Sequence, residues 1–175
     1  IILVLPNDHL SHWKSKLPTH WLPRIQFTAG GATRYESVKN GLQLVSSPSM
    51  VFVHDGVRCM VSEQLIKRCY EAALQFGNAV PAIQPVDSMR WMHEGKAVAI
   101  NRNELRIIQT PQTFHSEILL KAFQQEYEEG FTDEASVVEK MGEKINLVEG
   151  ELINLKITRP IDLEFANVIL KSAKD

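Results

Sequence analysis

Val51-Phe52-Val53-His54-Asp55-Gly56-Val57-Arg58 sets an acid, a glycine and a guanidinium directly after an apolar run. The apolar residues predict the end of a buried strand. A carboxylate leaving such a strand sits on a sheet rim, where open α/β folds bind ligands. Gly56 permits a turn or a close approach of backbone to ligand. Arg58 offers a planar fork of donors suited to phosphate. The residues alone leave a local Asp55–Arg58 ion pair equally open. Other polar groups interrupt apolar runs in the same way: Ser88, Thr110, Thr132 and Lys156. If their strands are parallel neighbours, they share one rim, a cationic and hydroxylic set with one acid that suits a phosphorylated polyol. Gly30-Gly31 ahead of Arg34 and Ser37 fits a loop that lets backbone approach a phosphorylated ligand at a helix N-terminus. A plain turn is the alternative there, as a snorkelling surface side chain is for Lys156. Asn101-Arg102-Asn103 reads as a guanidinium between amides or as a solvated turn. His9, His12, His20, His54, His93 and His115 show no metal spacing, and His54 is expected to pack or to hydrogen-bond behind the site.

The elements that must position these residues follow from periodicity. Ile1–Leu5, Ile25–Phe27, Val51–His54 and Ala79–Ile83 predict strands. Between them lie helical patterns: Leu10, Trp13, Leu17; then Val38, Leu42, Val45; then Leu65, Cys69, Ala72, Phe76, capped by Ser62 and closed by Gly77. This alternation predicts an α/β fold with a mostly parallel sheet covered by helices. Residues 88–100 predict two strands about a His93-Glu94-Gly95-Lys96 turn. Trp91 and Met92 on those arms are too apolar for an isolated hairpin, so the ribbon is expected to pack on a partner subunit. Leu105–Ile108 resumes an apolar strand. Ser116 starts a helix with Leu119, Leu120 and Phe123; Thr132–Ser136 starts another with acids in its first turn. Ile145–Val148 and Leu152–Ile157 predict late strands. Thr158-Arg159-Pro160 opens a last helix with Leu163, Ala166, Leu170 and Ala173 on its buried side.

Composition narrows the classes. The 175 residues suit one domain, with 44% hydrophobic and 23% charged residues as in ordinary globular proteins. A net charge of −2 gives no electrostatic case for nucleic acid or anionic membrane. Cys59 and Cys69 have no ligand spacing and read as reduced thiols of a cytoplasmic protein. No apolar run approaches the roughly 20 residues that span a bilayer. Ile1–Leu5 looks like a core strand without a preceding Met, so the chain is expected to be a fragment lacking residues before Ile1.

Five stretches occur in a family's order: Gly30-Gly31-Ala32-Thr33-Arg34-Tyr35-Glu36-Ser37-Val38, His54-Asp55-Gly56-Val57-Arg58, Thr110-Pro111-Gln112-Thr113-Phe114, Thr132-Asp133-Glu134-Ala135-Ser136, and Val148-Glu149-Gly150 with Asn154 to Leu163. With them the whole chain resembles the 2-C-methyl-D-erythritol 4-phosphate cytidylyltransferases of the non-mevalonate isoprenoid pathway. The resemblance implies a single Rossmann-like nucleotidyltransferase domain, N-terminally incomplete, and a homodimer joined by a protruding β-arm over residues 88–104. It implies attack of the substrate 4-phosphate on the α-phosphate of CTP, release of pyrophosphate, and Mg²⁺ carried on the CTP phosphates rather than in a protein metal site. By motif, Gly30, Gly31, Ser37, Asp55, Gly56 and Arg58 would contact CTP. Asp55, Arg58, Ser88, Arg102, Thr110, Thr132 and Lys156 would bind the polyol phosphate, with Arg102 and Thr110 reaching it from the other subunit. Lys156, Arg102 and Asp55 would be catalytic. Ser88 stands where the family usually has Thr, and Cys59 where it usually has Pro. The family's N-terminal Gly-rich CTP loop is absent, so this chain alone is expected to be inactive. A ribitol 5-phosphate cytidylyltransferase and a non-catalytic sugar-phosphate or nucleotide-binding module are the alternatives.

Overall fold

A computed structural model describes residues 1–172. In chain order the elements are β1 (Ile2–Leu5), α1 (Leu10–Lys16), β2 (Gln26–Ala29), α2 (Arg34–Leu42), β3 (Met50–Val53), α3 (Glu63–Phe76), β4 (Asn78–Ile83), β5 (Met89–His93), β6 (Lys96–Ile100), β7 (Ile107–Ile108), β8 (Gln112–His115), α4 (Ser116–Ala122), α5 (Glu134–Lys140), β9 (Leu147–Glu149) and α6 (Pro160–Ser172). They fall into two compact units, residues 1–53 with 114–145, and residues 54–113 with 146 onward.

In the first unit β1 pairs parallel with β2, Leu3 opposite Phe27. Thr33 and Glu36 form a capping box that starts α2: Thr33 Oγ1 accepts from the Glu36 amide at 3.1 Å and Glu36 Oε2 from the Thr33 amide at 3.0 Å. Val45 lies beyond the end of α2. Buried Tyr35 stacks on Phe123 at 4.8 Å and donates its hydroxyl to the Gln125 carbonyl at 2.6 Å, tying α2 to the end of α4. Helix α5 opens on the box of Asp133 and Ser136. Helix α1 has no fully buried residue, and Phe52 keeps β3 from being the buried strand expected of Val51–His54.

In the second unit β4 is the hub. It pairs antiparallel with β7 and parallel with β9. The antiparallel β7 makes the sheet around β4 mixed, while β4–β9 and β1–β2 pair in parallel, in keeping with the α/β fold expected. Helix α3 is capped by Ser62 Oγ, which accepts from the Leu65 amide, and ends at Gly77 with φ 88°. Its buried stripe is Leu65, Cys69 and Ala73; two steps of four keep to one face, which leaves Ala72 half-buried and Phe76 exposed. The fully buried Leu65 side chain on that stripe contributes roughly 1.5–3 kcal/mol. Strands β5 and β6 form the expected ribbon, turning at Glu94 and Gly95, both with positive φ.

Leu152–Ile157 is not the strand predicted. It forms a turn, because Asn154 is drawn wholly inside while Leu152 points out. On α6 Ala166 is buried but Leu163 and Leu170 are exposed; Ala173 lies outside the described residues. Asp162 accepts from the backbone amides of Thr158 and Arg159, each at 2.8 Å, and these donors hold its carboxyl below its ordinary range. Strand β8 was hidden in the sequence by the turn signal of Pro111.

The two cysteines differ in reach. Burial pushes the Cys69 thiol up to about 11, so it stays protonated on α3, whereas Cys59 is exposed. Alkylation of the native protein with iodoacetamide, read by peptide mass, should label Cys59 and spare Cys69 until denaturant is added.

Candidate active site

The second unit begins at His54 and its backbone turns at Gly56, with the Arg58 amide bonded to the Asp55 carbonyl at 2.9 Å. One oxygen of Asp55, Oδ2, lies 3.1 Å from Lys156 Nζ and 3.4 Å from Arg58 Nε. The predicted association of Asp55, Arg58 and Lys156 is thus a contact. The two cations differ in posture. Arg58 is buried, and its fork points inward: Nη1 donates to the Asn154 carbonyl at 2.8 Å and Nη2 to the Ile108 carbonyl at 3.4 Å. Lys156 keeps 46% of its side chain exposed. The outward charge is therefore the lysine, and the guanidinium holds the loop.

Thr110 and His54 complete this cluster. The Asp55 amide donates to Thr110 Oγ1 at 3.0 Å, and the same hydroxyl meets His54 Nδ1 at 3.0 Å. The Arg58 carbonyl can only accept, so His54 Nε2 donates to it at 3.0 Å, and in the neutral imidazole Nδ1 then accepts the Thr110 hydroxyl proton. The Thr110 hydroxyl, expected to face a phosphate, is turned onto the Asp55 loop. The loop with Lys156 is fastened by the Ile157 amide donating to the Val57 carbonyl at 2.9 Å. Gly150 lies so close to β4 that a Cβ there would come 2.5 Å from Gln109 Oε1 and 3.1 Å from the Ala82 backbone.

Ser88 and Arg102 gather elsewhere in that unit, at the foot of the ribbon. With Arg90 and Asn101 they line an open cleft of about 340 Å³. Arg102 Nη1 donates to the Val86 carbonyl.

In the first unit, Gly30, Gly31 and Ser37 form one motif. Ser37 Oγ accepts from the Gly31 amide at 3.1 Å and donates to the Thr33 carbonyl at 2.9 Å, so the serine shapes the glycine loop. A Cβ on Gly30 would meet Ser37 Oγ at 2.8 Å, and one on Gly31 would meet Glu36 at 2.3 Å. Arg34, the first residue of α2, grips Glu134, the first residue of α5, with both guanidinium nitrogens. Exposed Thr132 lies two residues before Glu134.

A family model described as 2-C-methyl-D-erythritol 4-phosphate cytidylyltransferase matches residues 1–172. The chain belongs to that family. Its chemistry is therefore CTP-dependent cytidylyl transfer in isoprenoid synthesis, on a nucleotidyltransferase α/β fold. Among its relatives, the 2-C-methyl-D-erythritol 4-phosphate cytidylyltransferase of Phocaeicola vulgatus is 44% identical over 171 residues, 97% of this chain and 78% of that protein. The crystal structure of the Thermus thermophilus cytidylyltransferase superposes with a TM-score of 0.81 at 32% identity, covering 97% of this chain and 81% of that one. The 4-diphosphocytidyl-2C-methyl-D-erythritol synthase of Anaerococcus prevotii gives 0.84 at 29% identity, with 98% and 81% covered. Among the described residues no helix is long and apolar enough to cross a membrane.

Residue type and spacing alone give no role to Glu134, Gln109 or Asn154. The signal for Gln109 was present: it interrupts the apolar run of Ile107 and Ile108 as the chosen residues interrupt theirs. Glu134 sat inside an acidic first turn, where a carboxylate reads as helix capping.

Burial pushes the Glu134 carboxyl above its ordinary value, and Arg34 pulls it only part of the way back. A raised folded pKa contributes stability below the unfolded value that is lost as pH rises through the folded one. Glu134→Gln removes that titration. The melting temperature of the wild type should therefore fall relative to Glu134→Gln as pH is raised from acid to neutral. A widening wild-type advantage over that range would mean that the ion pair outweighs burial.

Proposed function

We propose that the protein carrying this chain transfers CMP from CTP to the 4-phosphate of 2-C-methyl-D-erythritol 4-phosphate, with Lys156, steadied by Asp55, as the group that holds the attacking phosphate. The observation that carries this reading is the Asp55 carboxylate shared by an inward guanidinium and an outward ammonium. An oxygen of the substrate phosphate attacks the α-phosphorus of CTP. That bond forms as the bond between the α-phosphorus and the bridging oxygen breaks, and pyrophosphate leaves with the electron pair. Such a transfer asks the protein mainly for alignment and charge neutralisation. Lys156 can meet the phosphate as a point charge, and Asp55 keeps the ammonium aimed without covering it. Gly30, Gly31 and Ser37 form the nucleotide loop, with Gly56 and the Asp55 loop as further CTP contacts. Ser88, Arg102 and Thr132 contact the polyol phosphate. Thr110 and Arg58 set the position of Asp55.

The donor set fits a metal that travels with the substrate. Mg²⁺ is commonly held by one or two carboxylates plus substrate phosphates. Asp55 is the carboxylate that could share it. Bound there, Mg²⁺ would supply charge neutralisation on the triphosphate.

The ribbon of β5 and β6 is the dimerisation arm in this reading. Met89, Trp91 and Val98 share one exposed face of it, and Arg102 at its foot would act on the partner's substrate. Phosphorylated, non-lipid substrates and reduced thiols fit a cytoplasmic enzyme.

Lys156→Ala should remove turnover and leave the fold, because a half-exposed ion pair is worth about 0–1 kcal/mol. Pyrophosphate release and circular dichroism read the two outcomes, and unfolding would give Lys156 a structural role. Transfer to ribitol 5-phosphate in preference to the erythritol phosphate would overturn the substrate. Excising residues 91–100 should give an inactive monomer by sedimentation; an active monomer would refute the arm's role.

A further inference from the structure

Two buried amides stand behind the cluster of Asp55, Arg58 and Lys156. Gln109 is 2% exposed and Asn154 not at all. Gln109 Nε2 donates to the Glu151 carbonyl at 2.8 Å and to the Asn154 carbonyl at 3.4 Å, while its Oε1 accepts from the Glu151 amide at 3.0 Å. One side chain thus clamps both backbone groups of Glu151. Asn154 works in the opposite direction: its Nδ2 donates to the Thr110 carbonyl at 2.8 Å. The Asn154 carbonyl also receives the 2.8 Å bond from Arg58.

These bonds have a common effect. The segment from Gly150 to Lys156 is a turn with no strand ladder of its own, so its backbone needs partners from elsewhere. Gln109 supplies them at Glu151, the Ala82 carbonyl at Gly150 and Arg58 at the Asn154 carbonyl, while the Asn154 side chain ties the segment to the Thr110 carbonyl. They fix the stretch that ends in Lys156 against the stretch carrying Thr110, and Thr110 in turn holds the Asp55 amide. Arg58 reads the same carbonyl that Gln109 approaches. Thr110 and Arg58, which both touch Asp55, are each bonded to Asn154, and the Ile157 amide on the Val57 carbonyl is a separate tie between the two loops.

We propose that Gln109 and Asn154 are positioning residues for cytidylyl transfer, an amide clasp that sets where the Lys156 ammonium stands relative to Asp55. This rests on Lys156 holding the attacking phosphate. Neither residue reaches substrate, so the clasp acts wholly through Lys156, Thr110 and Arg58.

The variants Gln109→Glu and Asn154→Asp preserve shape and remove the donors. In each the full chain should lose kcat by about 10–100-fold, the scale of a small misplacement of a reacting group, and melt within a few degrees of wild type. The same substitutions placed on Lys156→Arg should add little, because the misplaced group is already altered. Folded variants with wild-type kcat would overturn the clasp, as would losses that multiply fully with Lys156→Arg. Failure of both variants to fold would make the amides structural and overturn it equally. Wild-type transfer to the erythritol phosphate is measured alongside: its absence sinks the proposed reaction, whereas its presence with unaffected variants sinks only the clasp.

Discussion

One carboxylate oxygen facing two cations organises the second unit. Asp55 Oδ2 is within ion-pair reach of Arg58 and of Lys156, and it is the backbone around it that is expensive to build. A buried guanidinium left without acceptors would be costly, so its remaining donors take the carbonyls of Asn154 and Ile108. The consequence is a division of labour between like charges. The arginine is consumed in holding the loop, and the lysine, with nearly half its side chain in water, remains able to meet a ligand.

The first unit solves a related problem with neutral groups. The amides of both glycines are engaged within the unit, Gly30 on the Leu5 carbonyl and Gly31 on Ser37, so what the pair offers is close approach to backbone in a loop that needs its shape held. Ser37 supplies that hold from the first turn of α2, which is itself started by the Thr33 and Glu36 box. Arg34 then ties this helix start to the start of α5, close to Thr132.

Much of this was legible in the sequence, for reasons that differ between residues. Asp55 and Lys156 stood out because charge at the end of an apolar run is costly unless it has a purpose. Ser62 and Gly77 marked both ends of α3 through capping rules alone. The ribbon was legible because Glu94-Gly95 supplies the positive φ its turn needs. The inward posture of Arg58 was not, since nothing in the chain before Asn154 announces that a carbonyl will be waiting 96 residues on. Leu152–Ile157 misled because its apolar residues match a strand, while the buried amide of Asn154 bends it into a turn. The stripe on α3 slipped by one residue at Ala73, where the neighbouring alanine fits the period almost as well.

Gly150 has no functional group, yet it lies where an added methyl would collide with the side-chain oxygen of Gln109 and with the backbone of Ala82. The mildest possible change of amino acid there would push on the amide that clamps Glu151 and, in the reading proposed above, disturb through it a lysine six positions away. Inherited variation at this position should accordingly be narrower than at many residues that carry charge, and a survey that ranks sites by chemical reactivity would pass over it.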